Sequence, residues 1–224
     1  MSPLIPPMFI GHLGVGLALK KAEPRINLGW LFAAAMLLDV VLWLLVLAGL
    51  EQCSIPADYA QRRYLAFVFP YSHSLVGALL GSTFAAAGGW WLTRRWRIAA
   101  VLATAVLSHW LLDVVVHPPE IPLSTTGSIR LGLGLWDHLH VALAVEALLV
   151  LWGWRLYSRA THAESLVGRY GLGMFLVFLT VFALGGQLWA PAPTSVGQLA
   201  AASIVTLVIV FATAAWLDRK RRMV

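Results

Sequence analysis

The sequence predicts an all-α integral membrane protein, a bundle of six transmembrane helices with an embedded N-terminal helix that is either re-entrant or a seventh span. Three observations carry this. Of 224 residues, 60% are hydrophobic and 12% charged, with mean hydropathy +0.80, which is more apolar surface than the core of a soluble domain absorbs. Six windows, about 28–50, 67–93, 98–117, 131–154, 170–190 and 198–217, supply the roughly 20 helical residues that cross a hydrocarbon layer of about 30 Å. Basic residues, finally, are concentrated in alternate loops. The apolar runs are continuous rather than alternating, which excludes a closed β-barrel.

The first element in chain order is "PLIPPMFIGHLGVGLALKK", apolar until Lys20 but interrupted by Pro3, Pro6 and Pro7. Its charges follow the apolar run, the reverse of a secretory signal, so it is expected to stay attached. A helix from Met8 to Leu19 would be about 18 Å long, enough for a re-entrant element, or for a crossing if the Pro-rich lead extends it. The next four windows all hold ionisable side chains. The last two, 170–190 and 198–217, hold no Asp, Glu, His, Lys or Arg and read as scaffold helices. Loops near 51–66, 118–130 and 155–169 are too short for a soluble domain. The chain therefore reads as a single polytopic domain over 1–224, with residues 1–154 carrying the candidate site and no internal repeat.

Thirteen basic residues fall on one side: Lys20, Lys21 and Arg25; Arg94, Arg95 and Arg97; Arg155, Arg159 and Arg169; and Arg219, Lys220, Arg221 and Arg222. The opposite side holds Arg62, Arg63 and Arg130. The expectation is a multi-pass protein of a bacterial cytoplasmic (inner) membrane with a cytoplasmic C-terminus. Seven of eleven tryptophans lie beside the basic loops, as interfacial anchors do. The formal charge of +6 thus reports topology and contact with membrane lipids. No basic stripe is interleaved with exposed aromatics, so no nucleic-acid partner is expected. The single Cys53, in an outward loop, forms no internal disulfide.

Ionisable groups inside a membrane are costly and persist where they pair, face a wet cavity or bind something. Here they converge in depth. Asp39 lies mid-way along the first window, and His73 lies early in the second, flanked by Ser72 and Ser74. His109, Asp113 and His117 rise up the third at four-residue spacing, which places them on one helical face. Asp137 and His140 share a face in the outward part of the fourth, beside Trp136, with His138 turned away. Glu146 lies deeper in the same window. Imidazole nitrogen and carboxylate oxygen together suit a divalent transition metal, zinc first, with manganese or iron as alternatives. A structural His–Asp ion pair would need only two partners, whereas four windows contribute here.

In order along the chain, "FIGHLGVGLALKKAEP", "LLDVVLW", "PYSHSL", "SHWLLDVVVH" and "GLGLW" resemble the membrane-bound, metal-dependent hydrolases described as LexA-binding, inner-membrane-associated proteins. The resemblance covers roughly residues 8 to 154. It implies metal ligands at His12, His73, His109 and Asp113, with Asp39 at the family's aspartate position, and so an N-terminal segment embedded deeply enough for His12 to join the others. The chain departs from the family in having one carboxylate at Asp39 where a Pro-Asp-x-Asp element is common. It also has "FVFPYSHS" where a His-Arg pair precedes His-Ser. Both departures point to one metal rather than two.

The function expected is a metal-dependent hydrolase acting on a lipid or lipid-linked ester from the outer leaflet. His12, His73, His109 and Asp113 hold the metal, and Asp39 or Glu146 takes the proton. Ser74, His117, Trp136, Asp137 and His140 support the ligands or the substrate. The alternatives are a proton or metal-ion transporter or channel using the same cluster, and a structural or regulatory membrane protein with a stabilising polar core. Transport is disfavoured by the lack of paired Gly/Pro-broken windows in corresponding halves.

Overall fold

The computed structural model describes residues 9–223; the Pro3, Pro6 and Pro7 lead and Met8 lie outside them. Nine α-helices account for most of the described residues: α1 Phe9–Ala22, α2 Leu28–Ala35, α3 Leu37–Leu47, a short α4 Tyr59–Arg62, α5 Leu75–Thr93, α6 Trp96–Val116, α7 Leu139–Ala160, α8 Leu172–Trp189 and α9 Val196–Asp218. Three two-stranded antiparallel pairs decorate the ends: β1 Gln52–Ser54 with β2 Ala66–Val68, β3 Ile121–Pro122 with β4 Arg130–Leu131, and β5 Thr161–Ala163 with β6 Arg221–Met223. Five helical segments are long and apolar enough to cross a membrane, or six if the bent pair α2–α3 is one span. The protein is a multi-pass helical membrane protein.

Caps and prolines set the helix ends. Asn27, Ser74 and Ser195 each accept a backbone N–H in the first turn of α2, α5 and α9, groups the helix itself leaves unsatisfied. Pro118 and Pro119 follow α6, and Pro191 follows α8, where a missing N–H and a clash with the preceding residue stop the helix. Trp90, Trp96 and the left-handed Arg94 (φ 56°) make the tight corner between α5 and α6.

Three windows need correction. The first is not a continuous span, since it bends by 55° between α2 and α3 although it contains no proline. The cause is an intruding side chain: His109 Nδ1 bonds the Ala35 carbonyl at 2.7 Å, taking an acceptor from the helical ladder. The second span begins at Leu75 rather than at 67, because Pro70 removes a donor and the aromatic run before it forms β2 and a loop instead. The fourth starts at a 3-10 turn, Leu135–His138, and runs to Ala160. Gly132 and Gly134, at φ 155° and 70°, keep 131–134 out of the helix.

The N-terminal segment is embedded. Its described helix, Phe9–Ala22, has 14 residues and a length of about 21 Å, and runs on past the expected end at Leu19, while the expected start at Met8 lies outside the described residues. Phe9 through Gly14 are all buried, packed against α7, α2 and α6. A Cβ on Gly14 would stand 2.6 Å from the Leu149 carbonyl of α7, and Gly153 meets the Gly14 carbonyl in turn, so only glycine permits this approach.

The loop ends sort into two faces as their charges predict. At the basic face Lys20 Nζ donates to Asp218 Oδ2 at 2.7 Å, and the same carboxylate accepts Leu28 N at 2.9 Å and the Tyr157 hydroxyl at 2.8 Å. Arg97 donates twice to the Ala22 carbonyl, and Arg221 to Thr161 and Gly168. At the other face Arg63 donates to the Ala190 carbonyl, and Tyr64 meets Glu120. The apolar pair α8 and α9 therefore brings one ionisable group to the assembly, Asp218, one residue beyond the window read as scaffold.

Candidate metal centre

Five side chains meet inside the bundle: His12 from α1, Asp39 from the first turn of α3, His73 from the residue before the α5 cap, and His109 and Asp113 from α6. All are buried. Asp113 Oδ2 stands 3.1 Å from His109 Nε2 and 3.3 Å from His73 Nε2, and Asp113 Oδ1 is 3.3 Å from His12 Nε2. Asp39 Oδ1 is 3.5 Å from His73 Nε2 and 3.6 Å from His109 Nε2. The His12 ring stacks on His109 at 3.8 Å with planes 9° apart.

The hydrogen bonds made by the other ring nitrogens define what these Nε2 atoms are. His109 Nδ1 faces a backbone carbonyl, which only accepts, so it carries a proton. His73 Nδ1 faces Ser72 Oγ at 2.8 Å, while Ser72 Oγ faces Glu51 Oε2 at 2.6 Å. Glu51 Oε1 already accepts the Tyr71 and Ser72 N–H groups, so this carboxylate is an acceptor and takes the serine proton. Ser72 must then accept from His73 Nδ1–H. In the neutral rings both Nε2 atoms present lone pairs toward carboxylate oxygens. That juxtaposition is repulsive unless a cation lies between them.

Two kinds of cation are available, a proton on each ring or a shared metal ion, and the spacing of the groups could accommodate the second. Charge-assisted N–H···O bonds measure about 2.7–2.9 Å, whereas the five contacts here run from 3.1 to 3.6 Å. A tetrahedral ion with ligands about 2.0–2.1 Å away has ligand–ligand edges of about 3.3 Å. Asp113 Oδ2 makes no hydrogen bond, nor does His12 Nδ1, among the described residues. Two carboxylates among neutral imidazoles also carry a charge that a divalent cation cancels. His12, His109 and Asp113 form one set of groups able to hold a metal ion, and Asp39, His73 and His109 an overlapping second set.

Other residues expected at the site take different places. His117, at the end of α6, has Nε2 4.0 Å from Asp113 Oδ1 and shares Nδ1 between the Tyr64 hydroxyl and Glu120 Oε1, each at 2.7 Å. Glu146 Oε2 accepts the N–H groups of Ile10 and Gly11, so it anchors the first turn of α1 just before His12. Ser74 is the α5 cap, accepting Gly77 N at 2.9 Å; Ser72 is the serine that touches His73. Asp137, His138 and His140 are exposed, because the 3-10 turn ahead of α7 rotates them outward. Trp136 is buried against Tyr64.

Sequence reasoning missed Glu51, Tyr64 and Glu120. Glu51 carried no signal, being a loop carboxylate in a polar stretch, and only the return of Tyr71 and Ser72 past it buries it. Phe67 and Phe69, which the sequence places at the start of a span, lie instead over the centre, Phe69 4.9 Å from His73 and 5.8 Å from His117. Burial pushes the Glu120 carboxyl up to about 8 and the Cys53 thiol up to about 12. Compared with known proteins, the chain matches no family model, no curated protein and no solved structure.

Proposed function

We propose that this protein is a metal-dependent hydrolase of a bacterial inner membrane, with its C-terminus in the cytoplasm, acting on a lipid or lipid-linked ester from the outward leaflet. The observation that supports it is the convergence of three histidine Nε2 atoms on two buried carboxylates at 3.1–3.6 Å. The positions involved are those that the resemblance to the LexA-binding, inner-membrane-associated hydrolases picks out, and membership of that family is part of the proposal. One divalent ion, zinc in the first instance, would be held by His12, His73, His109 and Asp113. When bound, it supplies a Lewis acid toward a phosphoryl or carbonyl oxygen and acidifies water.

The chain's own groups do the rest. The Ala35 carbonyl and the Ser72–Glu51 pair hold two imidazoles in the tautomer that presents Nε2, as backbone and carboxylate partners do behind metal-ligating histidines. Asp39, at the longest distances in the cluster, takes the proton of the attacking water. Glu146 keeps α1, and with it His12, in place. Membrane lipids are the partners, and nucleic acid is not.

Transport of metal ions or protons is the second reading, favoured by the broken α2–α3 span, since half-helix ends often line ion sites in transporters. Mass spectrometry of phospholipid and lipid-phosphate substrates incubated with the protein in detergent separates the two. Product released, abolished by chelator and restored by metal, is expected. Flux of metal or protons into sealed vesicles with no lipid product would replace the enzyme with a transporter.

A further inference from the structure

A centre this deeply buried needs a way in. At the outward face lies a cavity of about 490 Å³ lined in part by Asp58, Arg62, Tyr64, Glu120, Trp136 and Asp137. Its carboxylates outnumber its single cation, and Arg62 is already paired with Asp58 at 3.2 Å. From this cavity a line of ligand-type groups leads inward. Glu120 Oε1 is 2.7 Å from His117 Nδ1, and the Tyr64 hydroxyl touches both. On its far side the same imidazole points Nε2 at Asp113 Oδ1, 4.0 Å away. Side-chain exposure falls along the line from 21% at Glu120 to 8% at His117 and 3% at Asp113.

The alternatives are poor for a cation. At the opposite face it meets thirteen Lys and Arg residues and then the Lys20–Asp218 pair, whose carboxylate is fully engaged. From the side it must cross hydrocarbon, which strips its water. We propose that the outward cavity is the loading route of the centre, with Glu120, His117 and Tyr64 as a transient station that passes a divalent metal ion from solvent to Asp113. The proposal rests on the metal reading above. Glu120 and His117 exchange their mutual hydrogen bond for the arriving ion, and Tyr64 closes behind it.

The test is the kinetics of metal loading. Chelator-stripped protein in detergent is mixed with Co²⁺, and the rise of visible absorption from His and Asp coordination is followed in time. Glu120→Gln and His117→Ala each remove a ligand atom of the station and should slow loading by about tenfold or more, while the final stoichiometry stays that of the wild type. His140→Ala, exposed and off the route, should load as the wild type does. A second arm leaves the station and the cavity's charges intact: Gln61→Cys, at an exposed neutral position of the cavity lining, is labelled with a bulky maleimide, Cys53 being buried and its thiol too weakly acidic to compete. The labelled protein should load slowly and the unlabelled variant normally. Loading within twofold of wild type in the plugged protein, or in both station variants at full stoichiometry, overturns the route and leaves the centre standing. A wild type that takes up no Co²⁺ or Zn²⁺ overturns the centre itself.

Discussion

Two buried polar clusters in this molecule are made of similar groups and behave oppositely. At the basic face, Lys20, Asp218 and Tyr157 are complete: one ammonium and one carboxylate cancel, both carboxylate oxygens are engaged, and the bonds measure 2.7 to 2.9 Å. In the inner cluster, His12, Asp39, His73, His109 and Asp113 leave two carboxylates facing imidazole nitrogens at 3.1 to 3.6 Å, with atoms on Asp113 and His12 that find no hydrogen-bond partner among the described residues. Burial alone therefore does not mark a functional site. What distinguishes the second cluster is that the described residues leave its charge and its geometry unfinished, whereas the first ties α1, α2, α7 and α9 together and asks for nothing more.

The largest test of this contrast is His109→Ala or Asp113→Ala. About one equivalent of metal by elemental analysis should fall to none, and with it any chelator-sensitive turnover. A variant that keeps its metal would make the inner cluster a structural one like its counterpart. Lys20→Met probes the other side. Leaving Asp218 buried and unpaired should cost about 3–5 kcal/mol in unfolding measurements in detergent, while metal content stays unchanged. If that cost disappears in the presence of chelator, the two clusters are energetically one unit and the contrast fails.

Glu51→Gln is the intermediate case, because it touches no proposed ligand. Losing the charged acceptor behind Ser72 loosens the tautomer of His73, and metal affinity by competitive titration should weaken by about 10–100-fold. An unchanged affinity would place Glu51 with the structural groups. The last case concerns Glu120. Its folded-state carboxyl is raised to about 8 by burial, so between the ordinary carboxylate value and about 8 the folded protein holds a proton that the unfolded chain has lost. Stability should decline as pH rises through that window, and Glu120→Gln should flatten the slope. A slope unchanged by the substitution assigns it elsewhere.

Orientation needs a different probe from the one the sequence suggests. Cys53 looks like a natural handle for an impermeant thiol reagent, but it is buried in β1 with its thiol pushed up to about 12. It would resist labelling on either side of a membrane. Asp58→Cys, on the exposed loop opposite the basic face, should label in intact cells if the basic face is cytoplasmic. Labelling only after lysis would invert the topology.

Composition and local periodicity alone determined the helical membrane class, the sorting of loop ends into two faces and the His109–Asp113–His117 stripe. Each depends on interactions within a few residues or on the average affinity of a segment for hydrocarbon, which a linear chain displays directly. The break at Met36 was hidden because its cause, His109 on the Ala35 carbonyl, lies 74 residues away. For the same reason only tertiary structure decided that Glu51 turns inward behind His73, that Glu146 anchors α1, that Asp137 and His140 stay outside, and that Lys20 finds Asp218 across 198 residues. A buried polar group takes whatever partner packing brings within about 3 Å, and packing is decided by the whole bundle at once.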